Sequence, residues 1–360
     1  MGWTLGRYFF FRYVTITFWF FVGIFALVYI IDFTELSGSL GGLPGFTART
    51  ALGMSALRVP MIMQQVVPFV GLFAAMATLV SLNRKYELVI ARAAGVSAWQ
   101  FLLPACVGAL LFGVLTITLL NPLAAYGFSR AEAMETALRA GRSNEVTAFD
   151  APWIRQRTAE GDTIIGARAV LNQGLELSDA IFFRFDDGGD IVERLDAKRA
   201  LLKKGHWELF DVEQLAGSSQ RRLDRIEVKT NLRPEIVQER LARPETIPFF
   251  DLPAKIDVAR SFGLRANAFA MQFQSLLALP PLLIAMTLIA ATVSMRFARL
   301  GQSATMVLGG IVAGFLLYVV SVLVKAFGTA GVVPPAVAAW LPVVVALFFG
   351  VTFLLHKEDG

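Results

Sequence analysis

The sequence NRKYELVIARAAG, residues 83–95, lies between two apolar runs that are each long enough to cross a bilayer. Four charged residues fall within nine positions here, whereas the flanking runs carry almost none. Apolar side chains recur every three or four residues, which is typical of a helix rather than of a Gly/Ser-rich linker. The pattern predicts a short amphipathic helix between two membrane spans, and we call residues 83–95 the docking segment.

Composition places the chain among integral membrane proteins. Hydrophobic residues make up 56% of the chain and charged residues 17%, and six apolar runs approach the roughly 20 residues that a helix needs to cross the hydrocarbon. Three runs precede and three follow a polar middle region, which predicts a membrane α-helical bundle in a 3+3 arrangement with an inserted domain. The runs are residues 13–31, 59–82, 99–120, 269–295, 305–324 and 337–355.

The distribution of Lys and Arg predicts the orientation of the spans, because basic residues are enriched in cytoplasmic loops. The side that holds the termini and the docking segment carries eight basic residues, against three in the opposite short connections. The termini and the docking segment are therefore expected in the cytoplasm, and the middle region outside. The eight are Arg7, Arg12, Arg84, Lys85, Arg92, Arg296, Arg299 and Lys357, and the three are Arg49, Arg58 and Lys325.

The middle region is predicted to be an all-β domain that follows a helical extension through Arg130 and Arg139. Short strand-like runs alternate with turn signals, which favours a sandwich or roll. The acidic turn at residues 186–190 has the Gly-Gly centre of a tight hairpin and lacks the spacing of an EF-hand. The predicted strands are residues 163–167, 180–185, 191–195, 200–203, 207–212 and 225–228. The predicted domains are residues 1–123, 124–264 and 265–360.

No pattern for catalysis or metal binding occurs in the sequence. It lacks a P-loop, a His-Glu-x-x-His pair and a Gly-x-Ser-x-Gly elbow, and its only histidines are His206 and His356. The single cysteine, Cys106, excludes a disulfide framework, and the modest net charge of +5 predicts no nucleic-acid partner. Catalytic residues, metals and bound cofactors are not expected, so active transport would require a separate ATPase.

The residues alone leave two interpretations of the docking segment open. In the first, an amphipathic helix lies on the membrane surface with its basic residues near anionic lipid. In the second, the helix inserts into the groove of a partner protein and Glu87 is its acidic contact. Glu87 is difficult to reconcile with the first interpretation, because an anionic surface would repel it.

Further candidate contacts lie in the first and fifth spans. Phe18, Phe21 and Phe25 are placed on one face of the first span, where they either pack against neighbours or wall a cavity for acyl chains. Gly310 and Gly314 in the fifth span are spaced to let another helix approach closely.

Three stretches are specific enough to compare with known families. They are YELV at residues 86–89 with AG at residues 94–95, TNL at residues 230–232 followed by Pro234, and PP at residues 334–335. They resemble the LptF/LptG permeases of the lipopolysaccharide exporter, with LptG sequences the closer match. The resemblance covers nearly the whole chain, with three spans, a large periplasmic domain and three more spans.

This resemblance implies a periplasmic β-jellyroll, an LptF-like and an LptG-like permease paired around a cavity, and a dimer of an LptB-like ATPase beneath them that uses ATP and Mg²⁺. LptC-like and LptA-like bridge proteins would receive the lipopolysaccharide. The first and fifth spans correspond to the lateral gate, and the expected location is the inner membrane of a Gram-negative cell. The docking segment matches the family's coupling helix, and the implied ATPase contacts are Arg84, Tyr86, Glu87, Leu88, Arg92 and Gly95.

One departure from the family pattern concerns phosphate recognition. LptG-like sequences often carry a lysine at the outer end of the first span to meet lipid A phosphates, whereas this chain has Asp32. Carboxylates repel phosphate, so recognition needs another basic group, bridging divalent ions or a differently charged headgroup. Lys325, at the outer end of the fifth span, either snorkels to the interface or meets a phosphate. The basic candidates are Arg130, Arg139, Arg142 and Lys325.

The expected function is that of a non-catalytic permease subunit that extracts lipopolysaccharide from the inner membrane and passes it to a periplasmic bridge. The alternative is a mechanotransmission permease, whose outer domain regulates a periplasmic partner without moving lipid. A membrane-embedded enzyme is disfavoured by the missing catalytic constellation.

Overall fold

The apolar runs fold into long helices, because a helix satisfies its own main-chain hydrogen bonds where no water is present. The structure is a computed structural model that describes residues 2–43, 45–140, 153–158, 161–171, 174–186, 190–216, 219–232, 243–261, 266–294 and 304–358. Its helices are α1 (Trp3–Leu40), α2 (Ala48–Arg84), α3 (Glu87–Ala93), α4 (Ala98–Leu115), α5 (Asn121–Ala140), α6 (Leu252–Ser261), α7 (Asn267–Leu277), α8 (Leu279–Ser294), α9 (Ala304–Ala330) and α10 (Pro335–Glu358). A π-helical turn, Thr116–Leu120, joins α4 to α5.

Within the described part of the chain, five helical stretches are long and apolar enough to span a membrane. They lie in α1, α2, the continuous α4–α5 helix, α9 and α10, and a sixth span results if α7 and α8, which meet at 48°, are counted as one. The bend directly precedes Pro280 and Pro281, where two main-chain donors are missing. The prediction of a multi-span helical protein is confirmed, whereas the 3+3 crossing of a bilayer stays a prediction.

The chain divides into two units, which we call the helical unit and the sheet unit. The helical unit comprises Met1–Glu35, Ser55–Phe128 and Pro244–Gly360, and the sheet unit comprises Leu36–Met54 and Ser129–Arg243. In the helical unit α4 packs closely on α8, since a β-carbon at Gly113 would lie 2.6 Å from Cα of Pro280. Its largest apolar core includes the buried side chains of Tyr13, Val67, Leu72, Ile117, Leu283 and Met286.

The middle region forms one antiparallel sheet of six described strands that pair in sequence order. The predicted hairpin at residues 186–190 joins β3 to β4, with the Asp186 amide donating to the Asp190 carbonyl at 3.0 Å. The all-β prediction is confirmed. No Greek-key crossing, which a jellyroll contains, occurs among the described strands, so the jellyroll stays a prediction. The strands are β1 (Ile154–Thr158), β2 (Gly161–Leu171), β3 (Glu176–Phe185), β4 (Ile191–Lys203), β5 (His206–Ala216) and β6 (Ser219–Lys229).

The two outer strands of the sheet approach each other at one end. Gln156 on β1 donates from Nε2 to the main-chain oxygen of Lys229, at the end of β6, at 3.3 Å, and its Oε1 accepts from the Thr230 hydroxyl. The same hydroxyl accepts from the Leu232 amide at 3.1 Å. Gln156 and Thr230 are both buried, so the sheet is curled and Thr230 helps to hold its edges together.

A transverse crease crosses β3, β4 and β5 at one level. Buried residues on one face of a flat strand recur at every second position, but at the crease the spacing widens to three. The widened pairs are Leu177 and Ala180 on β3, Ala197 and Ala200 on β4, and Leu209 and Val212 on β5. Cross-strand pairing aligns these positions, so the alternation changes phase at the same level in all three strands. The predicted strands 191–195 and 200–203 are for this reason two halves of β4.

Charged side chains accompany the crease. Asp179 and Asp211 adopt left-handed conformations, with φ of +48° and +52°. The Asp211 carboxylate lies 3.5 Å from Nζ of Lys198 and 3.8 Å from a guanidinium nitrogen of Arg222. Left-handed backbone costs roughly 1–2 kcal/mol for a residue with a β-carbon, and Asp and Asn tolerate it best. The crease is therefore a strained line that acidic residues are suited to occupy.

Replacing Asp211 with valine is expected to destabilise the protein by about 2 kcal/mol, because a β-branched side chain fits a positive φ poorly. Replacing Asp211 with glycine is expected to be nearly neutral, since relief of the strained φ offsets the loss of two exposed ion pairs. Thermal unfolding of the full-length chain in detergent measures both. Equal destabilisation by the two variants would show that the ion pairs, and not the backbone conformation, maintain the crease.

Candidate functional site

The docking segment contains a short helix between two left-handed residues. α2 ends at Arg84, Tyr86 has φ +59°, α3 occupies Glu87–Ala93, and Gly95 has φ +81°. The helix is thus shorter than residues 83–95, because the left-handed turn at Tyr86 redirects the chain after α2. An isolated helix of seven residues is unstable in water, so α3 depends on tertiary packing.

The docking segment buries one side in its own chain and exposes another. Leu88 and Ala91 are each 6% exposed. Tyr86 and Ile90 are 67% and 66% exposed, and Val89 is also exposed. The apolar stripe predicted from the sequence is therefore largely on the outside, where three large apolar side chains form a patch. Exposed apolar patches of this kind mark surfaces that contact a partner or a membrane.

Glu87 is attached to the first helix. The Tyr8 hydroxyl donates to Oε1 of Glu87 at 3.2 Å. The second carboxylate oxygen, Oε2, is buried and has no hydrogen-bond partner among the described residues. A buried acceptor without a partner is costly, so a movement of the Glu87 side chain that brings Oε2 to a donor outside this chain would be favourable.

The docking segment also carries three exposed basic residues. Arg84, Lys85 and Arg92 are exposed, and the guanidinium carbon of Arg92 lies 6.0 Å from the ring centre of Phe101. The docking segment thus presents an apolar patch, one acidic acceptor and a basic rim. Protein-binding surfaces commonly combine exposed apolar side chains with charged ones.

The three phenylalanines of the first span occupy different environments. Phe21 packs against Phe112 of α4 with ring centres 6.0 Å apart, and it lies 6.4 Å from Phe25. Phe18 is exposed and contacts the neighbouring Trp19. The structure brings Phe21 and Phe25 together and leaves Phe18 outside the pair. Their role as a wall for acyl chains stays a prediction.

Asp32 is paired, which the sequence did not reveal. Its Oδ1 lies 3.4 Å from Nε of Arg58 on α2, and the two side chains are 2% and 23% exposed. The other oxygen of Asp32 is buried without a hydrogen-bond partner among the described residues. Arg58 therefore compensates the negative charge that the sequence placed at this end of α1.

One glycine of the fifth span, Gly314, packs against α2 of the same chain. A β-carbon at Gly314 would overlap the Leu72 side chain, and Gly310 is also buried. Beside them, the rings of Phe69 and Tyr318 lie 4.8 Å apart. The close approach that small residues permit is thus made within the chain, and a role of Gly310 and Gly314 at a gate between subunits stays a prediction.

The four predicted phosphate contacts are divided between two units or lie outside the described residues. Lys325 is partly buried on α9 and Arg130 is exposed on α5, and these two residues belong to different units. The side chain of Arg139 and the whole of Arg142 lie outside the described residues. Their contribution to phosphate binding stays a prediction.

The contacts of a buried asparagine in the helical unit were not predicted from the sequence. Asn121, which follows the π-helical turn, is fully buried. It donates to Oε1 of Gln64 at 3.1 Å and accepts from the Phe249 amide at 2.7 Å. Like the Tyr8 and Arg58 contacts, these bonds join residues far apart in the sequence. No local sequence pattern predicts such long-range hydrogen bonds.

The fold and the docking surface define a class: a multi-pass membrane subunit with an inserted antiparallel sheet and a short docking helix. Within this class, residues 7–356 match the family described as "Lipopolysaccharide export system permease LptF/LptG". The match covers nearly the whole chain, so the chain belongs to this family, although the match does not separate LptF from LptG. No curated protein matches the chain at a significant level.

Family membership makes the chain a transport permease subunit of the lipopolysaccharide export system rather than an enzyme. Together with its long apolar helices, it also makes the chain a multi-pass inner-membrane protein. The family further implies an ATPase and a permease partner.

Proposed function

We propose that the chain is an LptG-like subunit that extracts lipopolysaccharide from the outer leaflet of the inner membrane and passes it to a periplasmic bridge. An LptB-like ATPase dimer bound at the docking segment uses ATP and Mg²⁺, and this chain binds no cofactor. An LptF-like permease completes the cavity, and LptC-like and LptA-like proteins receive the lipid. The termini are cytoplasmic, and the sheet is a periplasmic domain of the jellyroll type.

The observation that supports this proposal most directly is the environment of the Glu87 carboxylate. Its Oε2 is buried without a partner in the described chain, while the apolar side chains of Tyr86 and Ile90 beside it are exposed. A groove that accepts the apolar patch and donates a cationic hydrogen bond to Glu87 would satisfy both features at once. An anionic lipid surface would satisfy only the apolar part.

Arg58 is a further basic group near Asp32, where the lipid phosphate is proposed to bind. Its side chain keeps 23% of its surface exposed while it pairs with Asp32. The exposed part of this guanidinium carries positive charge, so it would attract a lipid phosphate by charge alone. Arg58 therefore joins Arg130, Arg139, Arg142 and Lys325 as a proposed phosphate contact.

Photo-crosslinking in the assembled transporter tests the proposed lipid path. Photoreactive residues at Phe18 and Phe315, which are 58% and 55% exposed on α1 and α9, are expected to form lipopolysaccharide adducts that increase with ATP. Phe349 on α10, also exposed, is the matched control and is expected to give few adducts. An ATP-hydrolysing complex that forms none at Phe18 or Phe315 would favour the mechanotransmission alternative.

A further inference from the structure

The end of α1 nearest Glu87 is attached to the docking segment by a direct hydrogen bond. Tyr8, in the second turn of α1, donates to Glu87 across 79 residues of sequence. Because Glu87 is the first residue of α3, a displacement of α3 along its axis changes the distance to the Tyr8 hydroxyl. Tyr8 is thus the point where the two helices are joined by a directional contact.

An apolar contact lies beside this hydrogen bond. Phe9, the next residue of α1, is 3% exposed and belongs to one buried cluster with Leu82 of α2, Leu88 of α3 and Phe101 of α4. Cores of this density transmit displacement because they leave little free volume. The packing of Phe9 against this cluster therefore makes the first turns of α1 and the docking segment one mechanical unit.

A second polar contact fixes α1 to the end of α2. Arg12 donates from Nη2 to the Ser81 hydroxyl at 2.8 Å. Tyr8 and Arg12 are four residues apart and so lie on the same side of α1. One side of the helix is held at Ser81, in the last turn of α2 before the turn that contains Tyr86, and at Glu87, directly after that turn.

The remainder of α1 can carry a displacement over its length. α1 is one uninterrupted helix of 38 residues and contains no proline, whereas α2 contains Pro60 and Pro68. Such a helix is about 57 Å long at 1.5 Å per residue. A shift at Tyr8 therefore reaches the level of Phe21 and Asp32 with little loss through bending.

We infer that Tyr8 and Arg12 are positioning residues that couple movement of the docking segment to α1. This inference rests on the proposed function for the source of the movement, which is the ATPase bound at the docking segment. Tyr8 holds Glu87 in register with α1, and Arg12 holds the end of α2. When the ATPase displaces the docking segment, α1 moves with it and its exposed aromatic face changes position against the lipid.

Tyr8→Phe tests the coupling, because it removes only the hydroxyl and keeps the ring. A hydrogen bond to a charged group shifts an equilibrium by about tenfold, and partial exposure lowers this, so the lipid moved per ATP hydrolysed is expected to fall about fivefold. Tyr126→Phe is the matched control. It makes the same change at an exposed tyrosine of α5, about 40 Å along the helix from the start of α4 at Ala98, and is expected to keep the ratio.

A purely structural role of Tyr8 would lower the yield and the melting temperature and leave lipid moved per ATP unchanged. That result would overturn the inference. Arg12→Gln is expected to lower the ratio in the same direction as Tyr8→Phe, since it removes the contact with Ser81. A normal ratio in both variants would also overturn it.

A distance measurement separates this inference from the proposed function. Spin labels at Val22→Cys on α1 and Val344→Cys on α10, both exposed in the helical unit, are introduced together with Cys106→Ala, which removes the single native cysteine. Nucleotide binding is expected to change this distance in the full transporter and to change it much less with Tyr8→Phe. Equal changes in both would overturn the inference. A change that Tyr8→Phe blocks, in a transporter that moves no lipopolysaccharide, would overturn the proposed function and leave the coupling standing.

Discussion

Replacing Glu87 with lysine is expected to reduce ATP-driven lipopolysaccharide transport by about 100-fold while the chain still inserts and folds. The buried Oε2 of Glu87 has no partner among the described residues, so in the proposed complex the carboxylate turns outward to meet a cationic donor of the ATPase. Losing one partner of a buried charge pair costs about 2–5 kcal/mol, and 1.4 kcal/mol is a factor of about ten. Transport in proteoliposomes that contain the ATPase and the second permease measures the effect.

Two further variants separate charge from structure at this position. Glu87→Gln keeps an acceptor for the Tyr8 hydroxyl and loses only the charge, so a reduction of about tenfold is expected. Glu245→Lys makes the same reversal at an exposed residue of the helical unit and is expected to transport normally. If Glu87→Lys purified with the ATPase and moved lipid at the normal rate, Glu87 would not be the coupling contact.

The helices of this protein were predictable because their signal is local. Roughly 20 apolar residues in a row allow few structures other than a membrane helix, and the runs at residues 13–31 and 337–355 lie inside α1 and α10. The charge pattern also located the docking segment. It did not reveal the break at Tyr86. A left-handed position is usually signalled by glycine, whereas here the surrounding structure imposes that conformation on a tyrosine.

Most strands of the sheet could be predicted individually, but the crease that crosses three of them could not. Short strand-like runs between turn signals predicted most of the strands, and the Gly-Gly turn predicted the β3–β4 hairpin. At the crease the alternation changes phase, so residues 191–195 and 200–203 looked like two strands with a break between them. The sequence contains this phase change, but a single strand cannot show that its neighbours change phase at the same level.

The candidate site was the least predictable part, because its contacts are long-range. The charge pattern singled out Glu87 and the resemblance singled out Asp32, yet their partners Tyr8 and Arg58 come from other helices. The fifth span illustrates the same limit. Gly310 and Gly314 indicated a close helix contact, but only the structure shows that Gly314 packs against Leu72 of the same chain.

Replacing Arg58 with alanine is expected to destabilise the protein by about 3 kcal/mol, because it leaves Asp32 buried without its counter-charge. Removing one partner of a buried pair typically costs about 3–5 kcal/mol, and the lower figure applies because Arg58 is 23% exposed. Thermal unfolding in detergent measures the loss. Arg49→Ala, at an exposed arginine near the start of α2, is the matched control and is expected to change stability by less than about 0.5 kcal/mol.

The double variant Asp32→Leu with Arg58→Leu divides the structural role of this pair from its proposed contact with phosphate. Replacing both partners of a buried pair with apolar residues is often neutral, so stability is expected to return to within about 1 kcal/mol of the native chain. Transport is expected to stay low, because the positive charge proposed to attract the lipid phosphate is still missing. Recovery of both stability and transport would show that Arg58 only neutralises Asp32 and that other basic groups recognise the phosphate. Failure to recover stability would mean that Asp32 and Arg58 do not form the pair.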